Sequence, residues 1–421
     1  MAGVQACPWC SGRAGQPEIG RATEIVCQGV RMIVAGALDG EIELELATRL
    51  GVSQRHLRRL FHAHLGVTGD QLARFHRAHR ARRLLEDSAM SVTEIASAAG
   101  YGSLRQLNRS FQQVFRVSPS QLRARRRGSG WVAIGESPPL RLRYQGQLDW
   151  AALLRCLAAQ PIPGVEHIGR QYYMRTVVID GDPGVLELSP GGPGHLVLVV
   201  HLPHWEQLIH VVGRARQIAG LDQDVETPAR FLVNDPLIGP LVTARPGVRV
   251  PGCWDPFEVG VRAIIGQHEP AADVSMQRLL RGLGTQVPEL RQFGLTHCFP
   301  PAEVVAAAGI SELAAMGLSS AAATSIAAFA DAVASRQLEL DHSAGLDQLI
   351  TCLTSIAGVG SRCAHYVALR AGEQDAFPVH GLAPARTATT HRRSKLPQTL
   401  SSGWRPWRAL AATHLWLDTQ P

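Results

Sequence analysis

Residues 350–382, ITCLTSIAGVGSRCAHYVALRAGEQDAFPVHGL, constrain the fold more than any other stretch of the chain. Ile350, Leu353 and Ile356 recur at helical spacing, Gly358-Val359-Gly360 follows, and Ala364, Val367, Ala368 and Leu369 begin a second helical pattern. The spacing predicts a helix, a glycine hairpin and a helix. A reversal this tight needs positive φ, which glycine adopts without strain, and bare glycines let backbone N–H groups approach an anion at the start of the second helix. The anion that suits such a site is a DNA phosphate, with Ile356, Gly358, Val359 and Gly360 as the residues that bind it.

The distribution of charge points to the same class of partner. The chain of 421 residues carries a net charge of +7. Its first 130 residues hold 19 Arg against 10 Asp or Glu, which makes that part +9 and the remainder −2. Basic character this localised is the footprint of nucleic acid binding. The length predicts two to four domains. No apolar run of about eighteen residues and no charged-then-apolar leader occurs, so the expectation is a cytoplasmic protein with no membrane partner. The 8 scattered cysteines fit a reducing compartment better than a disulfide framework. Cys7 and Cys10 have the spacing of half a zinc site, the single place where a metal is suggested, and no second Cys or His pair follows at zinc-finger distance. A flexible tail with two free thiols is the simpler reading of them, and no cofactor is required elsewhere.

From about residue 30 two similar helical units follow one another. In the first, an apolar-faced helix over 44–50 leads to Gly51, and Ser53 caps a second helix, QRHLRRLFHAHLG. In the second, Ser91-Val92-Thr93-Glu94 is a capping box, Gly100-Tyr101-Gly102 turns, and Ser103 caps LRQLNRSFQQVF. A long helix over 70–87 separates them. Each unit puts a polar, arginine-bearing helix second, the layout of a recognition helix for the major groove. Gln54, Arg55, Arg58 and Arg59 would face DNA in the first unit, and Arg105, Gln106, Asn108 and Arg109 in the second. Gly, Ser and Pro without periodicity over 128–139 then read as a linker.

Residues 140–250 change character. Strand composition over 140–144, 173–179 and 196–202 alternates with helical patterns over 150–157 and 204–218, which predicts an α+β lobe. Beyond it, residues 251–258 open a helix that runs to Gln267, and Pro270 is expected to interrupt it. Residues 302–340 read as alanine-rich helical packing. Residues 383–403 look foreign to the chain: they hold its single lysine, Lys395, and lie inside an acid-free stretch between Asp375 and Asp418. Their composition is of the kind left by a pair of compensating frame changes.

These motifs carry two resemblances. Residues 28–127 resemble an AraC-type DNA-binding domain. Residues 140–250 and 251–421, with Ile356-Ala357-Gly358-Val359-Gly360, Tyr366, Asp375-Ala376-Phe377-Pro378 and the Trp404-Arg405-Pro406-Trp407 segment, resemble the α+β lobe and the helix-hairpin-helix domain of the 3-methyladenine DNA glycosylase II family. The Cys7 and Cys10 pair, within residues 1–27, is similar to the end of the zinc and methyl-acceptor domain of bacterial alkylation-response regulators. Together they imply a multidomain protein: an all-α double helix-turn-helix domain, an α+β middle lobe and an all-α glycosylase domain. They also imply two DNA partners, an operator and alkylated DNA, with a monomer able to engage successive grooves. Gln267 and Tyr366 then become base-pocket residues, although Gln267 is equally an amide that ends a helix. The family's catalytic aspartate falls four residues after Phe377, where this chain has Gly381. Two readings follow: an alkylbase DNA glycosylase fused to a regulator, or a DNA-binding regulator whose glycosylase module has lost its aspartate.

Overall fold

The computed structural model describes residues 17–39, 42–87, 90–125, 139–202, 207–340, 345–378 and 401–419. By its internal contacts the chain divides into two compact units. Residues 1–143, 179–191 and 195–213 make the first, and residues 144–178, 192–194 and 214–421 the second.

The described residues of the first unit form helices α1 (Pro17–Val34), α2 (Glu43–Arg49), α3 (Gln54–His64), α4 (Gly69–Asp87), α5 (Val92–Ala98), α6 (Leu104–Val114) and α7 (Pro119–Arg125). The sequence signals for α3, α5 and α6 act as expected. Ser53 Oγ accepts from the His56 N–H and Ser103 Oγ from the Gln106 N–H, each at 3.2 Å. Ser91 and Glu94 exchange bonds of 2.7 and 3.2 Å in a complete capping box. Gly51 and Gly100 take positive φ at the two turns, where a side chain would be strained. Ala78, Ala81, Leu85, Ile95, Leu107, Phe111 and Phe115 close one core around α4. Three strands, 140–143, 182–190 and 195–201, pair antiparallel with the last in the middle. Leu198 is the registration point, opposite Leu140 on one side and Leu188 on the other.

The second unit begins with α8 (Trp150–Leu157), capped by Asp149, and the antiparallel strands Glu166–Ile168 and Tyr173–Ile179. Helix α9 (Leu208–Ile218) carries the chain out of the first unit. Then come α10 (Glu226–Leu232), α11 (Gly239–Ala244), α12 (Pro256–His268), α13 (Ala272–Leu283), α14 (Ala302–Ala315, broken at Gly309), α15 (Ser320–Ala334), α16 (Leu346–Ser355), α17 (Ser361–Ala371) and α18 (Arg408–Asp418). Asp255 caps α12 through a 2.8 Å bond from the Phe257 N–H. The helix ends where Pro270 said it would, with Glu269 in extended conformation before α13 begins. Helix α12 is buried along most of its length, with Phe257 stacked on Phe329 at 5.4 Å. It packs against α15 and α17, which puts its last residues beside the hairpin.

No helix among the described residues is long and apolar enough to cross a membrane. Cys7, Cys10, His380, Gly381 and residues 383–400 of the anomalous stretch lie outside the described residues.

Candidate nucleic-acid interfaces

Helices α3 and α6 present the polar faces the sequence assigned them. Leu57, Leu60 and Phe61 point inward from α3, and Leu107, Ser110 and Phe111 from α6. Arg55, Arg58 and Arg59 are exposed on α3, with Gln54 half-buried, while Arg105, Gln106, Asn108 and Arg109 are all exposed on α6. Several of these groups also have internal partners, Arg59 among them, 2.9 Å from His56 Nδ1. The Gln106 side chain accepts from the Gly102 N–H at 3.0 Å and so closes the turn before its own helix. The Arg58 guanidinium is ion-paired with Glu43, whose carboxylate is 2% exposed, and Gln54 donates to the same oxygen at 3.5 Å. Sequence reasoning missed Glu43, because a glutamate in a first helical turn reads as dipole compensation. In the fold it is a buried anion beneath α3 that orients Arg58.

In the second unit α16 and α17 are joined by the glycine hairpin. Gly358 has φ of +80°, and a β-carbon there would lie 2.0 Å from Ser325 Oγ. Glycine is therefore required for backbone shape and for close approach to α15. The Val359 N–H donates to Ile356 O at 3.0 Å, and Val359 is buried while Gly358 and Gly360 are exposed. The end of α12 holds the hairpin from beside it. Gln267 Nε2 donates to Gly358 O at 2.7 Å, His268 Nε2 lies 3.0 Å from the same oxygen, and the Gly360 N–H donates to Gln267 Oε1 at 3.3 Å. One amide thus spans both glycines. The N–H expected to face a phosphate is engaged by Gln267, through a bond at the long edge of the usual range.

Tyr366 is buried, and its hydroxyl accepts from Arg370 at 2.9 Å; Arg370 also donates twice to Gly252 O, at 3.0 and 2.8 Å. Cys363 is no nucleophile, since burial pushes its thiol up to about 12. Asp375 is the described acidic residue closest before Gly381 in sequence. Both its oxygens are taken by Arg408, at 2.7 and 2.8 Å, with Arg405 at 3.5 Å.

Residues 46–125 match the helix-turn-helix domain family, and residues 139–255 match the AlkA N-terminal domain family. Over 98% of its length the chain is 31% identical to the probable bifunctional transcriptional activator/DNA repair enzyme AlkA of Mycobacterium tuberculosis, covering 84% of that protein. The chain belongs to the AlkA family. DNA-3-methyladenine glycosylase 2 of Escherichia coli is 29% identical over 65% of this chain and 95% of its own length. A 3-methyladenine DNA glycosylase from Archaeoglobus fulgidus shares its fold, with a TM-score of 0.53 at 20% identity over 66% of this chain and 98% of that one.

The AlkA-family chain has one further polar feature that no local motif announces. Arg175, fully buried, donates to Glu258 at 2.5 Å and lies 3.7 Å from Glu166, which in turn accepts from Tyr173 at 2.5 Å. Trp254 is flanked by the guanidinium groups of Arg175 and Arg214, at 5.5 and 5.1 Å from its ring. Burial raises the Glu258 carboxyl to about 7 despite Arg175. The network ties strand 173–179 to the start of α12, and so fixes the far end of the helix whose last residues hold the hairpin. Among the described residues no group of three or more His, Cys, Asp or Glu is placed to hold a metal.

Proposed function

We propose that this chain binds alkylated duplex DNA through the α16–hairpin–α17 unit, extrudes the damaged base and hydrolyses its N-glycosidic bond, while α3 and α6 bind an operator. The observation that carries this reading is the exposed Gly358–Gly360 reversal, fixed on α12 by Gln267 and His268, in a chain of the AlkA family. An enzyme of this kind must take the nucleotide out of the stack and then stabilise positive charge as it builds on the sugar. Alkylated bases such as 3-methyladenine are themselves positively charged and are good leaving groups, so positioning and electrostatics carry most of the task. Gln267, at the exposed end of α12 and beside the hairpin, is the side chain best placed to meet the opened site. Tyr366, buried with its hydroxyl on Arg370, supplies a wall rather than a donor.

A second reading, a regulator without turnover, is favoured by one fact: Gly381 stands where the family has its aspartate. Asp375 is no evident substitute while Arg408 and Arg405 hold it. The two readings separate in a single-turnover assay on duplex DNA containing 3-methyladenine or hypoxanthine. Base released above the protein-free background establishes the glycosylase. Retained operator binding with no release establishes the regulator.

A further inference from the structure

We propose that His365 is a positioning residue, whose ring fixes residues 375–378 against α17 and releases them when it takes up a proton. The proposal rests on the glycosylase-type reading above, because those residues lead directly into Gly381.

Three of the attachments that hold the segment come from side chains of α17, α18 and Trp404. Asp375 is bound by Arg408 through both oxygens. Phe377 is buried, with its ring edge-on to Trp404 at 5.8 Å. Between these, the Phe377 N–H donates to His365 Nδ1 at 3.3 Å. A backbone N–H can only donate, so the Nδ1 that receives it must be unprotonated, and the ring proton belongs on Nε2. Protonated imidazole has two donors and no acceptor. It would set one N–H against another and leave the buried Phe377 amide without a partner. Of these attachments, this bond ends directly when the imidazole takes up a proton.

The surroundings favour the hydrogen-bonded state near neutrality. His365 is half-buried, and that burial together with the Arg408 guanidinium lowers its pKa, while Asp375 and Asp347 pull the other way. Arg408 therefore acts twice, holding the segment through Asp375 and keeping the neighbouring ring neutral. The bond is present above the lowered value and is lost as pH falls through it.

The test measures amide exchange at Phe377 in the full chain at pH 7.5 and in steps below it down to pH 4, corrected for the intrinsic pH dependence of exchange. It compares wild type with His365→Asn, whose side-chain oxygen reaches the Nδ1 position without titrating, and His365→Ala. In wild type and His365→Asn, Phe377 should be protected about fivefold over His365→Ala at pH 7.5, the worth of one hydrogen bond. As pH falls through the lowered value of His365, wild type should lose that protection and His365→Asn should keep it. Equal protection in all three at pH 7.5, or the same loss in wild type and His365→Asn, would overturn the proposal. In parallel, the ratio of wild-type to His365→Asn affinity for a duplex with a tetrahydrofuran abasic site should fall several-fold over the same pH range. A constant ratio would show that the bond has no effect on DNA binding. A wild type that fails to prefer this duplex to undamaged DNA would defeat the glycosylase-type reading and leave the exchange result standing.

Discussion

Arg55 and Arg58 sit on the same exposed face of α3 and do different work. Arg58 neutralises Glu43, a carboxylate inside the first unit with one oxygen that finds no hydrogen-bond partner among the described residues. Removing Arg58 leaves that anion uncompensated, so Arg58→Ala should cost about 1–3 kcal/mol of stability in denaturant titration. Arg55 is exposed, and Arg55→Ala should change stability by no more than about 0.5 kcal/mol. It should instead weaken operator binding and lower the slope of log affinity against log salt by about 1. A stability loss in Arg55→Ala equal to that in Arg58→Ala would show that the two share one role. Position 381 admits a gain-of-function test of the same sharpness. If the pocket is otherwise intact, Gly381→Asp restores the charge that faces the developing cation. Base release should then rise on the order of 10²-fold or more over the parent chain. No rise, with DNA binding unchanged, would mean that the defect extends beyond the carboxylate.

The elements show where sequence was sufficient. Helices α3, α5 and α6 were legible because each begins with a capping residue, and α3 and α6 also follow a turn glycine; these signals act over three or four residues. The hairpin was legible for the same local reason. Strand 182–190 was not, because Pro183, Gly184 and Pro190 argue against a strand. The signal that would have found it was Asp180-Gly181, both at positive φ, the dipeptide a two-residue hairpin turn needs. Glu258 and Arg175 lie 83 residues apart, and no spacing rule reaches that far. The same limit hid the Gln267 contacts with Gly358 and Gly360, so the sequence named the amide without revealing that it grips the hairpin. Gly358→Ala tests the hairpin as an element. It forces a side chain into positive φ, about 1–2 kcal/mol, and drives a methyl group into Ser325, about 1–3 kcal/mol more. Thermal unfolding should register the sum, and binding of non-specific duplex should fall with it. A fully stable Gly358→Ala variant would mean that the hairpin relaxes freely.

At the scale of the molecule, two compact units imply that unfolding need not be a single transition, so pH dependence is best assigned unit by unit. In the second unit His414 is pushed down to about 4 by burial and by Arg245, with Asp149 opposing. An unfolded imidazole takes its proton near 6.5, so between about pH 6.5 and 4 the unfolded chain binds a proton that the folded chain refuses. The resulting stability is fully present above about 6.5 and is lost as pH falls toward 4. Glu258, raised to about 7, has the opposite sign over much of the same window, since the folded carboxyl holds a proton that the unfolded one releases. The total slope is therefore a difference, and a single variant is the way to isolate one contribution. In His414→Leu the titrating ring is gone, together with a buried Nδ1 that has no hydrogen-bond partner among the described residues. Stability at pH 7.5 should change little or rise, because an unpaired polar atom is removed. Between pH 6 and 5 the slope of unfolding free energy should fall by nearly one proton, roughly 1.4 kcal/mol per pH unit. A slope identical to wild type would place the His414 proton in the folded state already at pH 6, contrary to its burial.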